Sequence, residues 1–171
     1  MALNNQREVN NLMKKAILAG LVAIAFHLSA GAITFEKEQD SVEFRKAQMH
    51  LIGVYFKEMG NMIKARRPYD AAYFSASADR LAALSGWAHE GFLKRQLTSD
   101  SKAKPAIWEK KMDFDYKMER FHNHALKLQQ VAAAKKNNNT DSAKSDLKEL
   151  TAEFKLTGDD CTSCHDSYKS K

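Results

Sequence analysis

The stretch that decides the fold is "LKELTAEFKLTGDDCTSCHDSY", residues 147–168. Seven of its residues recur at steps of four and three, which is the period of one face of an α-helix. They are Leu147, Thr151, Phe154, Gly158, Cys161, His165 and Tyr168. The pattern predicts a long amphipathic helix whose inward face carries two cysteines and a histidine near the C-terminus of the chain.

The same periodicity predicts two helices in the first half of the chain. The first covers about residues 35–65 and ends before Pro68, which disfavours helix at the residue before it. Asp70 can then cap a second helix over about residues 71–87. The expected inward stripe of the first helix consists of Val42, Met49, Ile52, Phe56, Met59 and Ile63. Four further apolar residues widen this stripe: Phe44, Leu51, Tyr55 and Met62. Those of the second are Phe74, Ala78, Leu81 and Leu84.

A polar connection separates these two helices from the rest of the chain. It runs over residues 88–105 and closes with Pro105, a residue suited to the first position of a helix. The third predicted helix covers about residues 106–134, and caps at Thr140 or Asp141 begin the fourth. The expected inward residues of the third helix are Phe114, Met118, Phe121, Ala125, Leu128 and Ala132.

Composition favours a single all-α domain. The chain has 171 residues, of which 44% are hydrophobic, but only two prolines and seven glycines. This combination supplies a core and suits helices better than turn-rich sheets. Four amphipathic helices joined in pairs by short links predict an antiparallel four-helix bundle, a fold that holds cofactors between its helices. The formal net charge of +6 is spread along the chain, so a nucleic-acid interface is not expected.

The N-terminal segment has the composition of an export signal. Lys14-Lys15 precedes an apolar run, and Ala30-Gly31-Ala32 has the small-x-small form of a signal peptidase site. We therefore expect residues 1–32 to be a cleaved Sec signal peptide and residues 33–171 to be the exported bundle. The alternative is a retained membrane anchor, but the apolar residues 16–26 are too few to span about 30 Å of hydrocarbon as a helix.

The spacing Cys161-x-x-Cys164-His165 is the chemically specific motif of the chain. It holds both cysteines of the sequence, with a histidine directly behind the second. C-x-x-C-H attaches c-type haem, because the two thiols add to the vinyl groups of the porphyrin and the histidine coordinates the iron. On a helix the two cysteines lie about one turn apart, which permits both thioether bonds. The motif therefore predicts one covalent haem c near the C-terminus.

Three other uses of the motif have less support in the sequence. A disulfide across so short a loop would constrain the unfolded chain little and would leave His165 without a role. A redox C-x-x-C normally accompanies a βαβ pattern, which the sequence lacks. A zinc site needs further ligands at a similar spacing, and the histidines at positions 50, 89, 122 and 124 show none.

The chain resembles the cytochrome c prime family over essentially all of residues 33–171. The resemblance rests on the C-terminal "CHDSYK", on "FRKAQM" in the first predicted helix, on "PYDAA" at the second and on "KPAIW" at the third. It implies an antiparallel four-helix bundle, often a homodimer, with haem near the end of the fourth helix. The export signal predicts that this bundle lies in the periplasm. In most members the iron is five-coordinate and high-spin, and an apolar sixth side admits nitric oxide or carbon monoxide.

The resemblance also implies the roles of individual residues. Cys161 and Cys164 match the thioether cysteines, and His165 matches the proximal iron ligand. Arg45 matches a basic residue that lies near a haem propionate in many members. Lys169 stands where the family most often has an arginine, and it keeps the positive charge without the planar guanidinium fork.

Met49 separates two functions that the resemblance allows, because it matches the position that faces the distal side of the iron. If its side chain only fills space, the protein is a five-coordinate haem protein that binds small diatomic gases, with electron transfer as an additional role. If its thioether coordinates the iron, the protein is a low-spin electron carrier with an unidentified redox partner. Because Arg45 and "PYDAA" resemble the gas-binding branch, we expect the first.

The remaining site expectations are weaker. Three aromatic residues are candidates for the wall of the haem pocket: Phe56, Trp87 and Phe114. His50 is rotated by about 100° from Met49 on a helix, so we expect it at the surface or at a dimer face. His122 and His124 are likewise expected to be mostly exposed. We do not expect an enzyme, because the sequence has neither paired carboxylates in an apolar setting nor a nucleophile beside a base.

Overall fold

A computed structural model of the chain describes residues 33–137 and 143–171. In chain order its α-helices are α1 (Glu38–Ile63), α2 (Ala71–Trp87), α3 (Ala106–Glu109), α4 (Lys111–Asn137) and α5 (Ala143–Tyr168). A 3₁₀ helix, Ala88–Phe92, follows α2 directly. The predicted signal peptide and the caps predicted at Thr140 or Asp141 lie outside the described residues. Within the described ranges, no helix has the length and apolar character needed to cross a membrane.

The four long helices form the antiparallel bundle that the sequence predicts. The most extensive packing joins α2 to α4 and α4 to α5, and α1 packs on α2. In contrast, α1 and α5 touch only sparsely. The core is built from the predicted stripe of α4, in which Phe114, Met118, Phe121, Ala125, Leu128 and Ala132 are all buried. The bundle is therefore tightly packed except where α1 faces α5.

Two contacts between a phenylalanine and a glycine bring α1 and α5 together at one end. A Cβ atom on Gly158 of α5 would lie 3.1 Å from Cζ of Phe56, and one on Gly60 of α1 would lie 3.0 Å from Cζ of Phe154. The two rings stack, with centroids 4.2 Å apart and planes 8° from parallel. Glycine at both positions lets the helices approach closely there, and beyond this contact they separate.

Both ends of the link between α1 and α2 have defined caps. The Asp70 side chain accepts a hydrogen bond from the backbone N–H of Tyr73 at 2.9 Å, which confirms the predicted cap of α2. The first helix ends at Ile63, earlier than predicted, because Ala65 adopts a left-handed φ of 52°. The N–H of Arg66 then returns to the carbonyl of Asn61 at 2.8 Å, which terminates the helix in a Schellman motif.

The third predicted helix is interrupted, which the sequence pattern did not indicate. Lys110 leaves the helical region with φ −117° and ψ 47°, so α3 and α4 are separate. The Trp108 indole N–H donates to the carbonyl of Phe92 at 2.9 Å, and the N–H of Lys104 donates to the carbonyl of Tyr168 at 2.9 Å. These long-range contacts hold α3 against the 3₁₀ helix and the C-terminus.

The buried face of α5 is rotated from the predicted one. Leu147, the first residue of the predicted stripe, is 37% exposed, whereas Leu150 and Thr157 are fully buried. The edge that contains Asp160 contacts α4, and the edge that contains Gly158 contacts α1. On α1, Leu51 is also exposed at 42%, although its pattern predicted a buried side chain. The cysteines lie between the two edges of α5, where they face the space between the helices.

Candidate haem site

A cavity of about 700 Å³ lies where α1 separates from α5, and α4 forms its remaining long wall. Cavities of about 300–1,000 Å³ are typical of small-molecule sites. Most of the wall is apolar, with side chains that include Val42, Ile52, Phe92, Ile107, Phe114 and Phe121. The segment from Asp100 to Ala103 forms part of its rim. The bundle therefore contains a large apolar space at the end that carries the C-x-x-C-H motif.

Eight of the nine residues that the sequence predicted for the site line this cavity. They are Arg45, Met49, Phe56, Phe114, Cys161, Cys164, His165 and Lys169. The prediction for Trp87 is wrong, because its side chain is 59% exposed and lies outside the cavity lining. The buried face of α2 runs through Leu81 and Ser85, and Trp87 is rotated by about 200° from Ser85 on the helix.

The two cysteines are unpaired thiols that share one wall of the cavity. Neither forms a disulfide, and both are half-buried. Burial raises the pKa of each thiol to about 11, and the carboxylate of Asp160 contributes to the shift at Cys161. Both are therefore neutral near pH 7. Reactive redox cysteines have lowered pKa values instead, so the site does not resemble a redox C-x-x-C.

His165 lies at the edge of the same cavity, one residue beyond Cys164, but its residue is exposed, whereas the sequence pattern predicted an inward side chain. Partial burial of its ring lowers its pKa, and the positive charge of Lys169 lowers it further. The imidazole is therefore neutral near pH 7, which is the form that binds a metal through a ring nitrogen. Among residues 33–137 and 143–171, no cluster of three or more histidine, cysteine, aspartate or glutamate side chains is arranged to hold a metal ion.

Arg45 places a buried positive charge at the cavity. Only 4% of the residue is exposed, and its guanidinium donates to the carbonyl of Gly91 at 3.0 Å and to that of Gln96 at 2.7 Å. It also lies over the ring of Phe92, 5.2 Å from the centroid. Burial lowers its pKa, and no carboxylate within the described ranges forms an ion pair with it. A buried cation of this kind favours an anionic group in the cavity.

Gly91 is required for this position of Arg45. A Cβ atom at Gly91 would lie 2.5 Å from Cγ of Arg45, whose side chain cannot move without losing its carbonyl acceptors. We therefore expect Gly91→Ala to destabilise the protein by about 1–3 kcal/mol, the usual cost of overpacking. Urea unfolding of the haem-containing protein would measure this cost.

Gly53 provides the matched control for that prediction. It lies on α1 at the same cavity, and a Cβ atom there would have no other residue of the protein within 4 Å. Gly53→Ala should be neutral or stabilise the helix by up to about 1 kcal/mol, because alanine favours helix more than glycine. Equal stability of the two alanine variants would contradict the role assigned to Gly91.

Asp160 is a site residue that the sequence analysis missed. It lines the cavity directly before Cys161 and is 3% exposed. Its carboxylate accepts from Nε of Arg120 at 2.6 Å and from Nδ1 of His124 at 2.5 Å, both on α4. The signal that could have indicated it is the second aspartate of "DDC", because its position follows the period of the buried edge of α5.

The two histidines of α4 correct the expectation that they are mostly exposed. Both are half-buried. Nδ1 of His122 lies 2.9 Å from Oγ of Ser85, and that of His124 lies 2.5 Å from Asp160, so each ring contacts a different neighbouring helix. His50 is exposed as expected, although it also lines the rim of the cavity.

Tyr168 closes the C-terminal end of the site. Its side chain is almost fully buried, and its hydroxyl donates to Oδ2 of Asp113 at 2.5 Å. Burial raises its pKa to about 12, and the hydrogen bond to Asp113 adds to the shift. The chain after α5 is also paired with the loop before α3, because the N–H of Ser170 donates to the carbonyl of Lys102 at 2.8 Å.

Tyr168→Phe should change how stability depends on pH. The native state holds the phenolic proton more tightly than the unfolded chain does. The hydroxyl of Tyr168 therefore contributes fully to the free energy of unfolding below pH 10, and this contribution is lost as pH rises through about 12. Below pH 10 we expect the variant to be less stable by about 1–2 kcal/mol because a buried hydrogen bond is lost. Urea unfolding should show this difference shrinking above pH 10, and a constant difference would contradict the assignment.

The chain is similar to proteins of one family across almost all of the described range. The family model described as cytochrome c′ matches residues 40–169. A cytochrome c′ from Alcaligenes xylosoxydans xylosoxydans is 32% identical over 139 residues, which are 80% of this chain and 98% of that protein.

Two solved structures are similar in both fold and sequence. The structure of cytochrome c prime from Shewanella frigidimarina has a TM-score of 0.72 at 38% identity and covers 81% of this chain and 100% of its own. The nitric oxide complex of a leucine-to-alanine variant of cytochrome c prime from Alcaligenes xylosoxidans has a TM-score of 0.70 at 30% identity, covering 81% and 99%. On this evidence, the chain belongs to the cytochrome c prime family.

Proposed function

We propose that this protein binds small diatomic gases, such as nitric oxide or carbon monoxide, at a five-coordinate haem c in the periplasm. The observation that carries the proposal is a cavity that joins the C-x-x-C-H motif on one side to apolar side chains of α1 on the other. As a member of its family the protein carries haem c, and Cys161 and Cys164 are the thiols for its covalent attachment. When bound, the haem iron supplies the bond to the gas.

The residues at the cavity fit such a group. His165 provides a neutral imidazole as the proximal ligand, directly beyond the two thiols. The buried guanidinium of Arg45 has no carboxylate partner in the described part of the chain and suits a haem propionate. Lys169 adds a second cation at the rim. The apolar walls suit the faces of a porphyrin, because burial of apolar surface favours binding.

The inward residues of α1 determine which ligands the opposite side accepts. Met49 is half-buried and packs against the core, with Val42, Ile52 and Phe56 as its neighbours in the cavity wall. These four side chains offer no strong hydrogen-bond donor, so water and anions bound against them would lose hydration without compensation, whereas the guanidinium of Arg45 is assigned to a propionate. A neutral diatomic gas has little hydration to lose. The similarity to a protein whose nitric oxide complex has been solved supports the same choice of ligand.

A second candidate is a low-spin electron carrier in which Met49 coordinates the iron. The observation that favours it is that Met49 and His165 line the same cavity from opposite helices. Electron transfer by the five-coordinate form is also compatible with the proposal. The redox partner is not specified by either candidate.

The cellular setting is part of the proposal. Residues 1–32 have the composition of a Sec signal, which supports export to the periplasm, the compartment in which we place the protein. The resemblance to the family also supports a homodimer. Leu51 and Val54 of α1 are 42% and 40% exposed and are available on the outer face of the bundle.

Carbon monoxide binding to the reduced protein tests the proposed function. The holoprotein is reduced with dithionite under argon, and its absorption spectrum is followed during titration with carbon monoxide. We expect a saturable spectral change without a preceding ligand-dissociation phase in stopped-flow traces. Haem-loaded ferrous protein that shows no spectral change with carbon monoxide or nitric oxide would overturn the proposal.

A further inference from the structure

Asp160, Arg120 and His124 form an ionic cluster at the wall of the haem cavity. The carboxylate lies inside, with 3% of the residue exposed, and it precedes Cys161 directly. The side chains of Arg120 and His124 are 37% and 29% exposed, so they connect the buried carboxylate to solvent. The cluster therefore places a carboxylate beside the cavity and pairs it with two partly exposed basic side chains.

The hydrogen bonds fix where a proton can be gained or lost. An ionised carboxylate only accepts hydrogen bonds, so Nδ1 of His124 carries the hydrogen that it shares with Asp160. The exchangeable proton of this imidazole is therefore on Nε2. With that proton present the cluster has a net charge of +1, and without it the net charge is zero.

The other charged groups near His124 are carboxylate, guanidinium and ammonium groups. Asp160 is the carboxylate that α5 presents to His124, and Arg120 lies one turn earlier on α4. Lys117, further along the same wall, donates to Oγ of Ser163 at 2.8 Å. Lys155 and Asp159 form a separate, exposed pair on α5. Among the side-chain types of this cluster, histidine is the one that commonly exchanges a proton near neutral pH.

We propose that His124 is a proton-binding site coupled to the oxidation state of the haem. One-electron reduction of ferric haem by an external electron donor adds one negative charge at the cavity. A proton taken from solvent onto Nε2 of His124 partly balances that charge, and Asp160 holds the resulting imidazolium in place. The coupling is reciprocal, because reduction strengthens proton binding and proton binding favours reduction by the same factor.

This inference depends on the haem site but not on gas binding. We expect proton affinity at His124 to be about fivefold higher in the ferrous protein, at the lower end of typical couplings between sites. For a one-electron couple that factor corresponds to a change in reduction potential of about 40 mV across the histidine titration. A protein that failed to bind carbon monoxide would overturn the proposed function and leave this prediction testable.

Potentiometric titration of the holoprotein between pH 5 and 8 tests the coupling. The wild-type potential should fall as pH rises, and His124→Gln should lose most of that dependence. His122→Gln is the matched control, because it lies on the same helix and its ring contacts the neutral Ser85 instead of Asp160. We expect this control to keep the wild-type dependence. A flat wild-type profile, or a His124→Gln variant with the wild-type slope, would overturn the proposal.

A nuclear magnetic resonance titration keeps the test decisive if the variant fails to accumulate. The ring protons of His124 are followed against pH in wild-type ferric and ferrous protein. We expect the midpoint pH to be higher in the ferrous form, by the shift that corresponds to an about fivefold higher proton affinity. Identical midpoints in the two oxidation states would contradict the coupling.

Discussion

Replacing both Cys161 and Cys164 by alanine is expected to abolish covalent haem attachment and to remove most of the stability of the bundle. In the proposed site the cofactor fills the space where α1 and α5 touch only sparsely, so without it those helices would face a large apolar cavity. A group that binds only the native state stabilises it, by about 4 kcal/mol already at a thousand times its dissociation constant. We expect a loss of at least that size.

Denaturing electrophoresis with a haem stain, followed by thermal unfolding, would measure both effects. Thr162→Ala is the matched control, because Thr162 lies between the cysteines and is exposed. It should retain the stain and the stability of the wild type. A haem-stained band in the double cysteine variant would rule out attachment through these thiols. His165→Ala should keep the stain but lose the proximal ligand.

Met49→Ala is expected to accelerate carbon monoxide binding while leaving the resting spin state unchanged. If the side chain only fills the distal side, its truncation opens space and breaks no bond to iron, since its contacts are dispersion alone. An increase of about tenfold in the association rate would correspond to a barrier lowered by about 1.4 kcal/mol. Stopped-flow mixing of the ferrous protein with carbon monoxide would measure it.

Met62→Ala separates this effect from general destabilisation. Met62 lies on the same helix and is 3% exposed, but it does not line the cavity. It should lower stability by about 2 kcal/mol or more, as large-to-small core changes do, without changing the association rate. A low-spin resting protein that becomes high-spin only in Met49→Ala would show that Met49 ligates iron and would favour the electron carrier.

Local sequence signals predicted much of the fold. The stripe of α4 is buried as expected, and Asp70 caps α2 through the predicted type of hydrogen bond. These features depend on residues three or four positions apart, so they are visible in one segment of sequence. The interruption at Lys110 accompanies hydrogen bonds from Trp108 to Phe92 and from Lys104 to Tyr168, and these pairs are not adjacent in the sequence.

The residues of the candidate site also differ in whether one segment of sequence could predict them. The C-x-x-C-H spacing and the position of Met49 on α1 are local, and the cavity brings them together. Trp87 is an aromatic candidate for the pocket wall by sequence, but it does not lie on the face of α2 that packs inward. The cluster around Asp160 escaped the sequence analysis because its partners come from another helix, and nothing in one helix indicates which charges of the next will meet it.

The absorption and electron paramagnetic resonance spectra of the purified ferric protein near pH 7 test the central claim most directly. The claim is that Met49 fills the distal side of a haem held by His165 without binding its iron. We predict a high-spin ferric haem without a sulfur-to-iron charge-transfer band. A low-spin spectrum with that band near the red end would contradict the account.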